Sequence, residues 1–88
     1  MAAYNVVPKP SVERDLRFLP KAMLARVMKA IEGLAKDPFP RKTTKLEGSE
    51  GLFRIRVGDY RIIYEVNRTT RDVSIHYVRH RRDAYRKL

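Results

Sequence analysis

The chain has 88 residues, room for one small domain with a thin core. Its 20 Lys and Arg against 10 Asp and Glu give a net charge of +10, while 43% apolar residues set it apart from a disordered basic tail. Without cysteine, disulfides and thiolate zinc sites are excluded, and no apolar run nears the ~18 residues of a membrane span.

We expect one domain over residues 1–88, of α+β class. A short N-terminal strand leads into a helical hairpin and then a three-stranded antiparallel meander, with the helices packed on one face of the sheet. Residues 3–7 (Ala-Tyr-Asn-Val-Val) read as the first strand, closed by Pro8 and Pro10. Pro10 suits the first turn of a helix, and Glu13 and Asp15 suit its dipole. Val12, Leu16 and Leu19 form one apolar stripe at i, i+4 and i+7. Pro20 opens a second helix with a stripe of Leu24, Val27, Met28, Ile31 and Leu34, and Asp37-Pro38-Phe39-Pro40 ends it.

Residues 41–51 read as a polar connector. The period then changes to two: Phe53, Ile55 and Val57 alternate with Arg54 and Arg56. Gly58-Asp59 has the composition of a type II′ hairpin turn, and the return strand runs Tyr60 to Val66. A two-residue turn fixes the register. Val57 faces Tyr60, Arg56 faces Arg61, Ile55 faces Ile62, and Arg54 faces Ile63. Residues directly opposite share a face, so the core face carries Phe53, Ile55, Val57, Tyr60, Ile62, Tyr64 and Val66. The other face carries Arg54, Arg56 and Arg61 with Ile63 and Glu65. A third strand spans Val73 to Val78. Pairing Val66 with Val73 puts Val73, Ile75 and Tyr77 on the core face, and Ser74, His76 and Val78 beside the arginines.

Charge is concentrated late: residues 51–88 hold ten basic side chains, nine of them Arg, against four acidic ones. Arg presents a planar fork that grips phosphate, so the expected partner is a polyanion, nucleic acid first. Arg56 across from Arg61 is a like-charged pair, which destabilises a sheet, and Arg54 stands on the same face with only Glu65 near enough to offset it. Solvent screening could make this harmless; preorganisation for phosphate gives it a purpose. No metal or cofactor is expected. Ligand clusters, a nucleophile elbow and a Gly-rich phosphate loop are all missing, and His76 and His80 are not brought together by their spacing on a strand. An enzyme built here would cleave RNA through its own 2′-hydroxyl, with arginines stabilising the developing charge. Arg exchanges protons poorly, so a shuttle would come from Tyr85, His80, His76 or the substrate assembly. Tyr85 has two readings, packing on the core edge or stacking on a base among Arg81, Arg82 and Arg86.

The run Lys45 to Val66 (KLEGSEGLFRIRVGDYRIIYEV), the ending Val78 to Tyr85 (VRHRRDAY) and the early Asp15 to Pro20 (DLRFLP) resemble the RelE/ParE toxin superfamily on its RelE-like side. The resemblance implies the toxin of a type II toxin–antitoxin system: an mRNA interferase that cleaves messenger RNA in the ribosomal A site and inhibits translation. It implies ribosome-dependent, metal-independent chemistry by 2′-hydroxyl attack on phosphate. Arg54 and Arg56 match catalytic basic positions, Arg61 the residue that holds the scissile phosphate, Arg81 one at the leaving group, and Tyr85 a tyrosine that stacks on a base. Some members carry Lys where Arg54 and Arg56 stand. Lys45, His80, Arg82 and Arg86 are further candidate RNA contacts.

The expected partners are a cognate antitoxin, contributing an acidic helical segment over the cationic groove, and the ribosome with its message. No membrane partner is expected. The free chain is expected to be a monomer in the cytoplasm, since Met1–Pro8 lacks the charged lead and apolar stretch of a signal peptide. Two other functions stay open: a ParE-like DNA gyrase inhibitor, which would not need the arginine set, and a non-catalytic nucleic-acid-binding module using the helix pair.

Overall fold

Pro10 occupies the first turn of a helix, where its missing N–H is no loss, and Lys9 before it is extended at φ −72° and ψ 155°. The computed structural model describes residues 3–46 and 51–80. In chain order it contains β1 (Asn5–Pro8), α1 (Pro10–Arg17), α2 (Lys21–Lys36), β2 (Thr44–Lys45), β3 (Leu52–Val57), β4 (Tyr60–Asn67) and β5 (Asp72–His80). The strands form one sheet in the order β1-β5-β4-β3-β2, with β1 parallel to β5 and the other neighbours antiparallel. The α+β class and the β3–β4–β5 meander agree with the sequence reading. Two features extend it: β1 joins the meander as a parallel edge, and the connector contributes a short strand, β2.

Both helices cover the same face of the sheet. Val12 of α1 and Val27, Ile31 and Leu34 of α2 pack with Ile55, Ile62, Tyr64, Val73, Ile75 and Val78. Met28, expected on the α2 stripe, is exposed, and Met23 and Ala30 pack against the core instead. The helix surface turned to the sheet is thus rotated toward Met23, Val27, Ala30, Ile31 and Leu34, four of them at i, i+4, i+8 and i+11.

The β3–β4 hairpin has the predicted register at all four positions, Val57–Tyr60, Arg56–Arg61, Ile55–Ile62 and Arg54–Ile63. Gly58 has φ +59°, and a Cβ there would come within 3.1 Å of Met23 Cε, so backbone conformation and close approach to α2 both call for glycine.

The third strand departs from expectation. Val66 does pair with Val73 and Tyr64 with Ile75, but Ile63 pairs with Tyr77 and Ile62 with Val78. His76 is an extra residue in a β-bulge. Parity reverses beyond it, so Val78 is buried in the core and Tyr77 joins the arginine face, the opposite of the sequence assignment. The physical reason lies one residue further on. Uninterrupted alternation from Val73 would place Arg79 under the helices, and burying a charge there far exceeds the ~1 kcal/mol scale of a lost ladder hydrogen bond. The bulge admits Val78 to the core and turns Arg79 out.

Helix α1 continues the edge that β1 begins. Past the parallel pairing, Lys9 N–H donates to the Ile75 carbonyl at 3.0 Å, Ser11 Oγ to the His76 carbonyl at 3.4 Å, and Val78 N–H to Asp15 Oδ2 at 3.2 Å. These contacts occupy backbone groups that an open strand edge would offer to another chain.

Candidate functional site on the arginine face

The outer face of the sheet is ordered in rows. Arg56, Arg61 and Arg79 stand in register across β3, β4 and β5. The next row holds Thr44, Arg54, Ile63 and Tyr77, and the row beyond it Leu52, Glu65 and Ser74. Three neighbouring strands therefore place an arginine at the same level, with a fourth one row away. Arg61, at the centre, is 9% exposed, while Arg54 is half-buried and Arg56 exposed.

The acid that sequence placed among the arginines is engaged elsewhere. Glu65 Oε1 lies 3.0 Å from His76 Nε2, and His76 Nδ1 lies 3.1 Å from Lys9 Nζ. These contacts fit a neutral imidazole that accepts from Lys9 and donates to Glu65. Arg79 has its own acid: its Nη1 lies 2.7 Å from Asp15 Oδ2, and its guanidinium sits 4.9 Å from the centre of the Tyr77 ring. Its backbone completes the row while its head is drawn round the β5 edge to α1.

Lys42, Thr44, Arg54, Arg56 and Gly58 line an open hollow of about 410 Å³. The connector is held against it by Tyr64, which is fully buried. The Tyr64 hydroxyl donates to the Pro38 carbonyl at 2.8 Å and accepts from Thr43 Oγ1 at 2.9 Å. Thr43 N–H also closes a turn on the Pro40 carbonyl at 2.9 Å. Burial pushes the Tyr64 phenol above its ordinary value, opposed by the Thr43 hydrogen bond and assisted by the Asp37 charge.

Of the residues singled out from sequence, Arg54, Arg56 and Arg61 share one face as expected. Lys45 pairs with Phe53 and so belongs to the helix-side face of the sheet edge. His80 pairs with Tyr60, their rings 5.1 Å apart edge to face, again on the helix side. There it lines a second hollow, about 510 Å³, with Asp15, Phe18, Leu19, Tyr60, Val78 and Arg79. Arg81, Arg82, Tyr85 and Arg86 lie outside the described residues. Arg79 and Lys42 were missed. The Arg79 signal was the misplaced charge that strict alternation implies; Lys42 carried no local signal, because a two-residue strand sets its position. Among the described residues no group of His, Cys, Asp or Glu is gathered to hold a metal, and no helix is long and apolar enough to cross a membrane.

The family model described as the ParE toxin of type II toxin–antitoxin systems, parDE, matches residues 6–85. The chain belongs to the RelE/ParE toxin superfamily. Toxin RelG of Mycobacterium tuberculosis is 33% identical over 85 residues, covering 96% of this chain and 98% of that protein. The archaeal RelE–RelB complex from Pyrococcus horikoshii matches at TM-score 0.81 with 36% identity, over 90% of this chain and 96% of the matched chain. The RelBE2 toxin–antitoxin complex of M. tuberculosis matches at TM-score 0.78 with 32% identity, over 90% of this chain and 99% of the other. Membership supports a toxin role for this RelE/ParE-family chain.

Proposed function

We propose that this chain is the toxin of a toxin–antitoxin pair and acts as a ribosome-dependent, metal-independent endoribonuclease on messenger RNA. The observation that carries the reading is Arg56 directly opposite Arg61 with Arg54 one row away, on the side of the sheet away from the helices. Fixed guanidinium groups are suited to the charge that builds on a phosphate during 2′-hydroxyl attack, because their positions are set before the reaction begins. In this reading Arg61 holds the scissile phosphate, and Arg54 and Arg56 stabilise the developing charge from the adjoining strand. Arg81 stands at the leaving oxygen, Tyr85 stacks on a base, and Arg82 and Arg86 extend the RNA contact. Lys45 and His80, which belong to the other face, are left out of the cleavage centre.

The partner that restrains the chain is an antitoxin with an anionic helical segment laid over the same cationic surface. Similarity to RelE chains solved together with RelB supports an antitoxin partner. Primer-extension mapping of cellular messages after induction is the test. Cuts inside translated messages, absent for Arg61→Ala made as a folded protein, are expected; uncut messages under full growth arrest would refute the nuclease.

A second reading, inhibition of DNA gyrase, draws on the ParE description of the matching family model. It predicts filamentous cells with damaged DNA and intact messages, and the same induction experiment separates the two.

A further inference from the structure

Arginine can hold a phosphate but cannot serve as the base that removes a proton from a 2′-hydroxyl, since its pKa lies above ~12. The hollow beside Arg54 and Arg56 contains one cation of a different kind. Lys42 lines it together with Thr44 and Gly58. A lysine amine, unlike a guanidinium, is a proton acceptor once it is deprotonated.

Lys42 is not there by accident of a loose loop. The connector that carries it is tied down on either side of the lysine: Pro38 and Thr43 both bind the hydroxyl of fully buried Tyr64, and Thr43 N–H closes the turn over Lys42 onto Pro40. Thr44 then pairs with Arg54 in the sheet. Thr43 is turned inward to Tyr64, Thr44 on the short strand after it lines the arginine hollow, and Lys42 in the turn before it lines the same hollow. A buried anchor thus fixes the backbone that carries this exposed lysine. The same lysine lines the adjoining hollow of about 420 Å³ on the α2 side, with Arg26, Lys29 and Arg56, so it stands where the two hollows meet.

From this geometry we infer that Lys42 is the catalytic residue that takes the proton from the attacking 2′-hydroxyl. The inference rests on the nuclease reading above. The neutral amine accepts the hydroxyl proton as the 2′-oxygen bonds to phosphorus. The bond from phosphorus to the 5′-oxygen breaks, and that oxygen takes a proton from water. The products are a 2′,3′-cyclic phosphate and a 5′-hydroxyl end, with Lys42 left as the ammonium. Arg54, Arg56 and Arg61 neutralise the phosphate throughout and exchange no proton.

Single-turnover cleavage of a message positioned on ribosomes, followed against pH, tests this. Wild-type cleavage is expected to rise with pH, as for a reaction that needs its base deprotonated. Lys42→Arg keeps the charge and should bind programmed ribosomes within about threefold, yet cleave at least ~100-fold more slowly, the lower end for loss of a general base. The chain has no cysteine, so Lys42→Cys can be alkylated with bromoethylamine at that position alone. This restores an amine of lower basicity, and cleavage should return with its pH profile moved to lower pH. Lys42→Arg cleaving at the wild-type rate with the wild-type profile would overturn the assignment while leaving the nuclease intact. A wild-type chain that leaves the message whole on these ribosomes would overturn the nuclease reading itself.

Discussion

Arg79 on β5 stands directly opposite Arg61 on β4, and it does so only because His76 is inserted ahead of it as a bulge. Like charges at opposed positions destabilise a sheet, and here Arg56, Arg61 and Arg79 occupy three such positions in line. The fold offsets one of them by pairing Arg79 with Asp15.

The like-charged row should therefore be better for activity than for stability. Replacing exposed Arg56 by Gln removes one repulsion and is expected to leave stability unchanged or raise it by up to ~0.5 kcal/mol, while cleavage falls at least ~10-fold. Chemical denaturation beside a cleavage assay checks both halves. A clear loss of stability would mean that Arg56 is structural.

Asp15 performs two tasks with one carboxylate, accepting from the Val78 N–H and from Arg79. Asp15→Ala should destabilise the protein by roughly 1–3 kcal/mol, the range for charge-assisted hydrogen bonds with a partly buried acceptor. Hydrogen exchange should localise the effect to the Val78 amide at the β5 edge. Unchanged protection there would show that another group covers that edge.

Tyr64 makes stability sensitive to alkaline pH. Its phenol is raised above 10.0 in the folded state, so native protein keeps the proton that the unfolded chain releases. Its contribution is fully present below pH ~10 and is lost as pH climbs from there through the folded value. Tyr64→Phe should lower stability at neutral pH by about 1–2 kcal/mol, because Pro38 and Thr43 lose their shared partner, and should flatten the alkaline decline. Denaturation midpoints from pH 8 to 11 provide the check. By releasing the connector, the same change should also slow cleavage.

Binding to single-stranded RNA should weaken with salt in proportion to the phosphates neutralised. Arg54→Ala is expected to reduce the slope of log affinity against log salt by about 0.7, one phosphate's share on a single strand. Titration of a labelled oligonucleotide at several salt concentrations measures it; an unchanged slope would remove Arg54 from the contact.

Much of this arrangement is legible along the chain. Pro10 and Pro20 mark the helix starts, and Gly58-Asp59 joins two alternating strands so tightly that the facing of Arg54, Arg56 and Arg61 follows from counting. The third strand was readable only as far as Ile75, since a bulge leaves the chain's composition unchanged and shows itself only when Arg79 is asked where it would go. Met28 fits a helical stripe as well as Met23 does, and only the sheet decides which of them packs.

By itself the sequence determined the basic character of the chain, its α+β order and the hairpin that gathers three arginines, because those depend on local spacing and a two-residue turn. The tertiary structure alone decided that Arg79 completes the row, that His80 and Lys45 belong to the other face, and that Lys42 borders the arginines. Each of these depends on partners far away in the chain, such as Ile62 for Val78 and Tyr64 for Thr43. Such long-range choices are settled by which side chains can leave water together, a balance that no short window of sequence contains.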